Sequence, residues 1–367
     1  MAEVRLTEIS KSYDGHVLAV QGLNLLCAQW QMLALLGPSG CGKSSTLKMI
    51  AGIEEVTSGT MDFYGVDVTG RDSASRNVAM VFEDYSLYPH LSTFENIAFP
   101  LRVRSVASAE VNKKVQDTVE LLGLQALLDT PVRSLSGGAQ QRVSIGRALV
   151  REPALVMFDE PLSHLDADQK VILRTEIRRL QATAGLTSVL VTHDQTEAMA
   201  MADMIAIMDN GQLQQVGSPQ SLYEHPENLF VAGFIGDIPI NFFPSKIDAQ
   251  SNLIRIKGES DCLPFRVPVS NGNALLLGIR PEDILVMPSN QATGAGFELT
   301  GTVSSREPAG DRTVLTIKTG NVGFQVELPA PCSYRNNDQL SCWFPFEKLH
   351  GFDADNGELV ALATSLC

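Results

Sequence analysis

Over roughly the first 235 residues, short apolar runs of strand length alternate with stretches of helical period, the pattern of an α/β fold. Met32–Leu36 and Leu155–Phe158 are continuous apolar runs, which predicts buried strands. Each leads into polar residues at its carboxyl end, where α/β sheets place their ligands. From Asp166 to Gln181 the apolar Leu173, Ile177 and Leu180 fall at i, i+4 and i+7, giving a helix one buried face. Ser92-Thr93-Phe94-Glu95 has capping-box spacing and predicts a helix start. Beyond Phe234 the texture changes to short alternating segments separated by Gly, Pro and Asn: Leu253–Lys257, Phe265–Val269, Thr313–Lys318 and Gly323–Leu328. These predict a small all-β domain of OB-like kind. Gly233, Gly236 and Pro239 break the helical pattern, so the expected domains are 1–235 and 236–367.

A chain of 367 residues exceeds what one core usually supports, in agreement with two domains. The net charge of -14 argues against nucleic-acid binding, because phosphate backbones reward clustered Lys and Arg. The first ten residues carry Glu3, Arg5 and Glu8 and no apolar core of a secretory signal. The longest apolar stretches, Met32–Leu36 and Met204–Met208, are far short of the ~20 residues of a spanning helix. Any membrane role is therefore expected to come through partners. Cys27, Cys41, Cys262, Cys332, Cys342 and Cys367 show neither CxxC pairing nor zinc-finger spacing and read as reduced thiols.

The chemistry concentrates in one segment first. Gly37-Pro38-Ser39-Gly40-Cys41-Gly42-Lys43-Ser44 matches the Walker A pattern, with a strand before it and a predicted helix, Ser44–Ile50, after it. Glycines let backbone N–H groups curl round phosphates, and the helix directs its positive end at them. Lys43 suits the outer phosphates, and the Ser44 hydroxyl suits Mg²⁺. The pattern is shared by kinases and GTPases, so the discriminating residues lie downstream. Leu135-Ser136-Gly137-Gly138-Ala139-Gln140-Gln141-Arg142 resembles the signature of ABC ATPases and precedes a Walker B strand ending in Asp159 and Glu160. Ser163-His164-Leu165-Asp166 is similar to that family's D-loop, and Val191-Thr192-His193-Asp194 to its switch histidine. Residues 76–101 resemble the Q-loop region of the sugar-importer subfamily of maltose and glycerol-phosphate type.

The resemblance implies a P-loop ABC ATPase domain with a helical subdomain, followed by an accessory β-domain, working with ATP and Mg²⁺. Asp159 would hold Mg²⁺ and Glu160 would orient or deprotonate water, with His193 fixing the γ-phosphate geometry. Tyr13 is placed like the adenine-stacking aromatic, an edge-strand surface tyrosine being the alternative. Ser45 joins the phosphate-binding set and Asp166 of the D-loop the nucleotide-binding set, while Ser136, Gly137 and Gly138 would complete a site across a dimer. Implied partners are a second ATPase subunit, identical or related, two membrane permease subunits and, indirectly, a solute-binding protein. The implied location is the cytoplasmic face of a bacterial inner membrane, with Tyr85–Arg104 as the candidate permease surface. Two positions depart from the family pattern: Glu83 stands for the Q-loop glutamine and Ala139 for the glutamine ending the signature core. Whether Glu83 strengthens metal binding or repels nucleotide is open from the residues, and so is a weakly catalytic, regulatory subunit. A translation or DNA-repair ABC protein is disfavoured by the single cassette and the lack of an inserted coiled coil. The accessory domain reads equally as a dimerisation module or a regulatory docking site.

Overall fold

A computed structural model describes residues 3–15, 17–163, 165–248, 253–256, 262–263, 274–288, 294–320 and 322–360. The expected strand Phe265–Val269 and the D-loop residue His164 lie outside them. The chain forms two compact units, Met1–Ser221 and Leu222–Cys367.

The first unit runs β1 (Glu3–Ser12), β2 (Leu18–Ala28), β3 (Met32–Leu36), α1 (Lys43–Ala51), β4 (Ser58–Phe63), β5 (Val66–Asp67), β6 (Val78–Val81), α2 (Thr93–Val103), α3 (Ser108–Leu122), α4 (Gly137–Leu149), β7 (Leu155–Asp159), α5 (Ala167–Thr183), β8 (Ser188–Thr192), α6 (Gln195–Met201), β9 (Met204–Asp209) and β10 (Gln212–Gly217). A six-stranded sheet has the order β10-β9-β3-β8-β7-β6. Its strands are parallel from β9 to β6, and only β10 is antiparallel. Every residue of β3 and β8 is buried, as expected where both faces of a parallel sheet are covered. A second, antiparallel sheet has the order β2-β1-β4-β5. Leu47 and Ile50 of α1 share one core with Leu6 and Leu23 of this sheet and with Met157 and Val191 of the parallel one. Helix α1 is thus held from both sides, and its first turn is fixed in place.

Helices α2, α3 and α4 pack on one another. Gly146 permits this approach, because a Cβ there would lie 2.8 Å from Leu122 Cδ1 and 3.2 Å from Ile97 Cδ1. Helix α2 opens as expected: Ser92 accepts from Glu95 N at 3.2 Å. The second half of the capping box is not made, since the Glu95 carboxylate pairs with Arg102 instead. Helix α5 buries Leu173, Ile177 and Leu180, the face its periodicity predicts.

After α7 (Pro219–Glu224), the second unit contains α8 (Leu229–Phe234), β11 (Asn241–Asp248), β12 (Leu253–Ile256), β13 (Cys262–Leu263), β14 (Ala274–Ile279), β15 (Leu285–Val286), β16 (Gly296–Ala309), β17 (Arg312–Thr319), β18 (Val322–Pro329), β19 (Gln339–Pro345), β20 (His350–Asp353) and β21 (Leu359–Val360). Two antiparallel sheets, β13-β12-β11-β14-β20-β21 and β15-β19-β16-β17-β18, enclose a core in which Phe243, Phe324 and Phe344 meet edge-on or tilted. This is the OB-like all-β architecture the alternation predicts. Helix α8 was expected in the first domain, yet it packs with the second unit. Ala232 clusters with Ile240 and Phe352, and Arg280 donates to the carbonyls of Ala232 and Ile235.

Candidate active site

Register places the chemistry on one edge of the parallel sheet. Leu36 of β3 lies opposite Thr192 of β8, Asp159 of β7 opposite Val191 of β8, and Val81 of β6 opposite Phe158 of β7. The strands β3, β8, β7 and β6 therefore end level. The loops leaving them deliver the phosphate loop, His193, Glu160 and Glu83 to the same carboxyl edge.

The phosphate loop is shaped by close backbone approach. A Cβ on Gly37 would sit 2.1 Å from Met208 O, and one on Gly42, which has φ 104° at the cap of α1, would sit 2.5 Å from Ala19 O. Ser39 and Gly40 are exposed at the tip. Pro38 O accepts from Cys41 N at 3.3 Å, tightening the turn. Lys43, 6% exposed, donates to Gly37 O at 2.8 Å and Pro38 O at 2.9 Å, so its ammonium lies along the inside of the loop. Burial pushes the Cys41 thiol up despite the Lys43 charge, which keeps it a neutral packing group. Ser44 is exposed on the first turn of α1. Ser45 Oγ lies 3.0 Å from the Tyr13 hydroxyl. The Tyr13 ring is 52% exposed and has the Lys11 ammonium 4.9 Å from its centre.

On β7, Asp159 is pushed above the usual carboxylate range by burial, then by the charges of Glu160 and Glu83, with Lys48 opposing. Glu160 has φ 45°, a left-handed conformation that a non-glycine residue adopts at a cost. That backbone is held by Glu160 N donating to Val191 O at 2.9 Å and by Ser163, whose hydroxyl donates to Glu160 O at 3.1 Å. The Glu160 carboxylate meets His193 Nδ1 at 3.0 Å. Half of His193 faces outward, with its side chain 57% exposed. A carboxylate paired with an imidazole, a half-buried aspartate and an anion-shaped loop thus share one edge. This is the constellation an in-line phosphoryl transfer to water needs. Among the described residues no three His, Cys, Asp or Glu side chains converge as a metal cage. The Asp159 carboxylate and the exposed Ser44 hydroxyl still fit Mg²⁺, an ion that usually takes one or two protein oxygens and completes its shell from phosphate and water.

Residues 20–163 match the family model described as ABC transporter, and residues 277–352 match the TOBE domain. The trehalose/maltose import ATP-binding protein MalK of Thermococcus litoralis is 40% identical over 98% of this chain and all of its own length. The sn-glycerol-3-phosphate import ATP-binding protein UgpC of Chromohalobacter salexigens is 40% identical over 96% of this chain and 95% of its own. This chain belongs to the ABC transporter ATP-binding family. Among solved structures, cbiO1 of Clostridium perfringens, part of an ABC transporter complex, superposes with a TM-score of 0.56 at 25% identity, covering 60% of this chain and 89% of its own. The protein is accordingly an ABC ATPase.

The remaining expected site residues of this ATPase lie at the starts of α4 and α5. Ser136 caps α4, accepting from Ala139 N at 3.4 Å, and Asp166 caps α5, accepting from Gln169 N at 2.9 Å. The atoms nearest a Cβ on Gly137 would belong to Leu165, Gln169 and Tyr85. Ala139 is 4% exposed, a small side chain buried in the first turn of α4. Several contributors were not singled out from sequence. Thr192 Oγ1 donates to the buried Glu197 at 2.8 Å and accepts from Asp194 N at 3.0 Å. Lys170 bridges Asp194 and Glu197 at 3.3 and 3.2 Å. Together they fix the turn that carries His193. Gln141, fully buried, donates to Pro161 O at 2.8 Å and ties α4 to the turn after Glu160. The available signal was a buried polar residue one turn from a motif residue, as at Thr192 and Glu197.

Proposed function

We propose that this ABC ATPase powers uptake of a carbohydrate, polyol or glycerol-phosphate-like solute through two membrane permease subunits, at the cytoplasmic face of a bacterial membrane. The printed functions of the MalK and UgpC relatives support that solute class. The observation that carries the catalytic reading is the Glu160–His193 pair beside the phosphate loop. In this reading Lys43 and the loop amides bind the ATP phosphates, Tyr13 stacks on adenine, and Ser44 and Asp159 hold Mg²⁺, which supplies charge neutralisation between the phosphates. Glu160 takes a proton from the attacking water, and His193 holds the Glu160 carboxylate in line.

The glycines of the signature support a dimer. A Cβ on Gly137 or Gly138 would meet nothing closer than 3.5 Å, so folding of the subunit does not require glycine there. Close approach of a nucleotide held by a second copy, or a related subunit, does. Docking to the permease is assigned to a cleft of about 660 Å³ lined by Ile53, Phe82, Tyr88, Phe99, Val103 and Arg104, among others. Ile53 is 56% and Val103 68% exposed, more than isolated surface residues need. Ile97 is fully buried and belongs to the part of this segment that is core. No described helix is long and apolar enough to cross a membrane, which suits attachment through partners. The domain assignment 1–235 and 236–367 is kept as the functional division, the second part being an accessory module.

The test is Lys43→Ala. It should abolish ATP turnover and ATP-driven solute uptake while leaving the circular dichroism spectrum unchanged. Normal uptake by this variant would remove the phosphate-loop assignment. Co-purification of the wild-type chain with integral membrane subunits tests the partner assignment, and its absence would point to an ABC protein working alone.

A further inference from the structure

Resting on the reading of Glu160 as the base, we propose that Gln141 is a positioning residue for hydrolysis, holding the Glu160 turn in its working conformation through the Pro161 carbonyl. Gln141 lies on α4, one turn beyond Gly137. It is 0% exposed, and its Nε2 donates to Pro161 O at 2.8 Å. The adjacent Gln140 spends its amide differently: Nε2 donates to Val132 O and Leu135 O, both at 3.1 Å, and closes the entry to α4. One glutamine thus serves its own helix start. The other reaches across to the loop that follows β7.

That loop needs holding. Glu160 has φ 45°, and the proline after it pushes the preceding residue toward extended backbone, so its conformation stands against two preferences. A strained backbone of this kind persists only where its surroundings over-determine it. Glu160 N donates to Val191 O at 2.9 Å, and Glu160 O accepts from Ser163 N at 3.3 Å and from Ser163 Oγ at 3.1 Å. Pro161 has no N–H, so its carbonyl is the backbone group by which the next peptide can be held. Gln141 holds it. The sheet therefore fixes one side of Glu160, and α4 fixes the other.

The other half of the Gln141 amide shows that stability alone does not explain it. Its Oε1 is buried without a hydrogen-bond partner among the described residues, and a buried acceptor left unmade costs stability. The amide is in place for its donor. Replacing it with an apolar side chain of similar volume would orphan Pro161 O but remove the orphaned Oε1, two changes of opposite sign. The fold should therefore tolerate the replacement. What is lost is the tie on the turn that aims the Glu160 carboxylate, which meets His193 Nδ1 at 3.0 Å.

The experiment measures steady-state ATP turnover and thermal melting of the full-length chain for wild type, Gln141→Met, Gln141→Leu, Glu160→Gln and the double variant of Gln141→Met with Glu160→Gln. Methionine keeps the volume and removes the donor, so kcat should fall about ten- to a hundredfold, the effect of a misplaced catalytic group. KM for ATP should stay within about twofold, because the phosphate contacts are untouched, and melting should stay near wild type. Leucine should give the same split, which separates the lost donor from a packing fault of either side chain. Adding Gln141→Met to Glu160→Gln should lower the residual turnover by less than about twofold, since residues that act as a unit are not additive. Wild-type kcat in both Gln141 variants overturns the inference while the reading of Glu160 stands. An equal fold-loss in both Glu160 backgrounds, a change in KM alone, or a collapse of melting in both Gln141 variants also overturns it, by making Gln141 a residue of the fold. Wild-type turnover in Glu160→Gln overturns the base and the inference together.

Discussion

The phosphate-loop edge of the first unit and the Arg280 cluster of the second treat polar groups in opposite ways. In the first, polar residues lie at the ends of buried strands and leave functional atoms facing outward: Glu160 in left-handed backbone, His193 more than half exposed, Ser44 on an open first turn. In the second, they are turned inward and consumed. Arg280, 2% exposed, donates to the carbonyls of Tyr223, Ala232 and Ile235 and stacks 4.0 Å over the Tyr223 ring. Asn241 donates to Gln325 O at 2.8 Å and accepts from Gln325 N at 2.7 Å. Strained or outward-facing groups mark a working site, whereas buried donors spent on backbone carbonyls mark a clasp. Substitutions in the first unit should therefore cost activity at little stability, and those in the second the reverse.

The largest expected effect is Glu160→Gln. The amide is nearly isosteric and keeps a partner for His193, but it cannot accept the proton of water. Phosphate release should fall about 10²–10⁴-fold, with ATP binding and melting temperature near wild type. Under the dimer proposal the variant should also elute as an ATP-dependent dimer on a sizing column. Undiminished turnover would deny Glu160 the role of base.

The opposite case is Arg280→Met, which keeps much of the volume and removes the donors. Carbonyls of Tyr223, Ala232 and Ile235 lose their partner, and each buried orphan costs about 1–3 kcal/mol. The second unit should lose roughly 3 kcal/mol, measured by urea unfolding, with ATP turnover of the folded fraction unchanged. A turnover loss without a stability loss would invert the comparison. A smaller effect sharpens it within the first unit: Gly137→Ala should change stability by no more than about 1 kcal/mol, and in the stabilising direction, as alanine suits a helix. Turnover should still fall. Full turnover in Gly137→Ala would mean that nothing approaches the signature closely.

Much of the catalytic edge was legible because its chemistry is local. Gly37 to Ser44, Asp159 with Glu160, and Val191 to Asp194 are contiguous motifs flanked by apolar strands, and strand context alone implies a common edge. Long-range pairing was not legible. No periodicity announces that Glu160 touches His193 33 positions on, that Gln141 braces Pro161, or that Arg147 holds Tyr85 and Ser86. The same limit explains α8. Its break at Gly233–Gly236 is local and visible, but its allegiance is set by Arg280, 45 residues beyond Ile235. The alternation of the second unit predicted an all-β fold, because period-two patterning survives without knowledge of partners.

The smallest predicted effect concerns pH and the clasp itself. His350 is depressed to about 4, chiefly by burial and then by the charges of Arg280, His225 and Lys348, with Asp283 opposing. Its ordinary value is 6.5, so the unfolded chain binds this proton more readily. The stability this contributes is present above pH 6.5 and is lost progressively as the pH falls toward 4. Glu282, which accepts from the Tyr223 hydroxyl, is raised by burial and by Asp283 and Glu327. Its sign is opposite: it favours the fold at low pH and loses that contribution as the pH rises through its folded value. Lys348 pairs with Asp283 at 3.2 Å. Because the two buried groups oppose each other, the raw pH profile of the second unit should be shallow, and the informative quantity is a difference. Denaturant midpoints of wild type and His350→Gln should converge or cross as the pH falls from 7 to 4, the variant being the less sensitive of the two. Parallel profiles would show that His350 carries its proton equally in both states, and that the Arg280 clasp exerts no field on it.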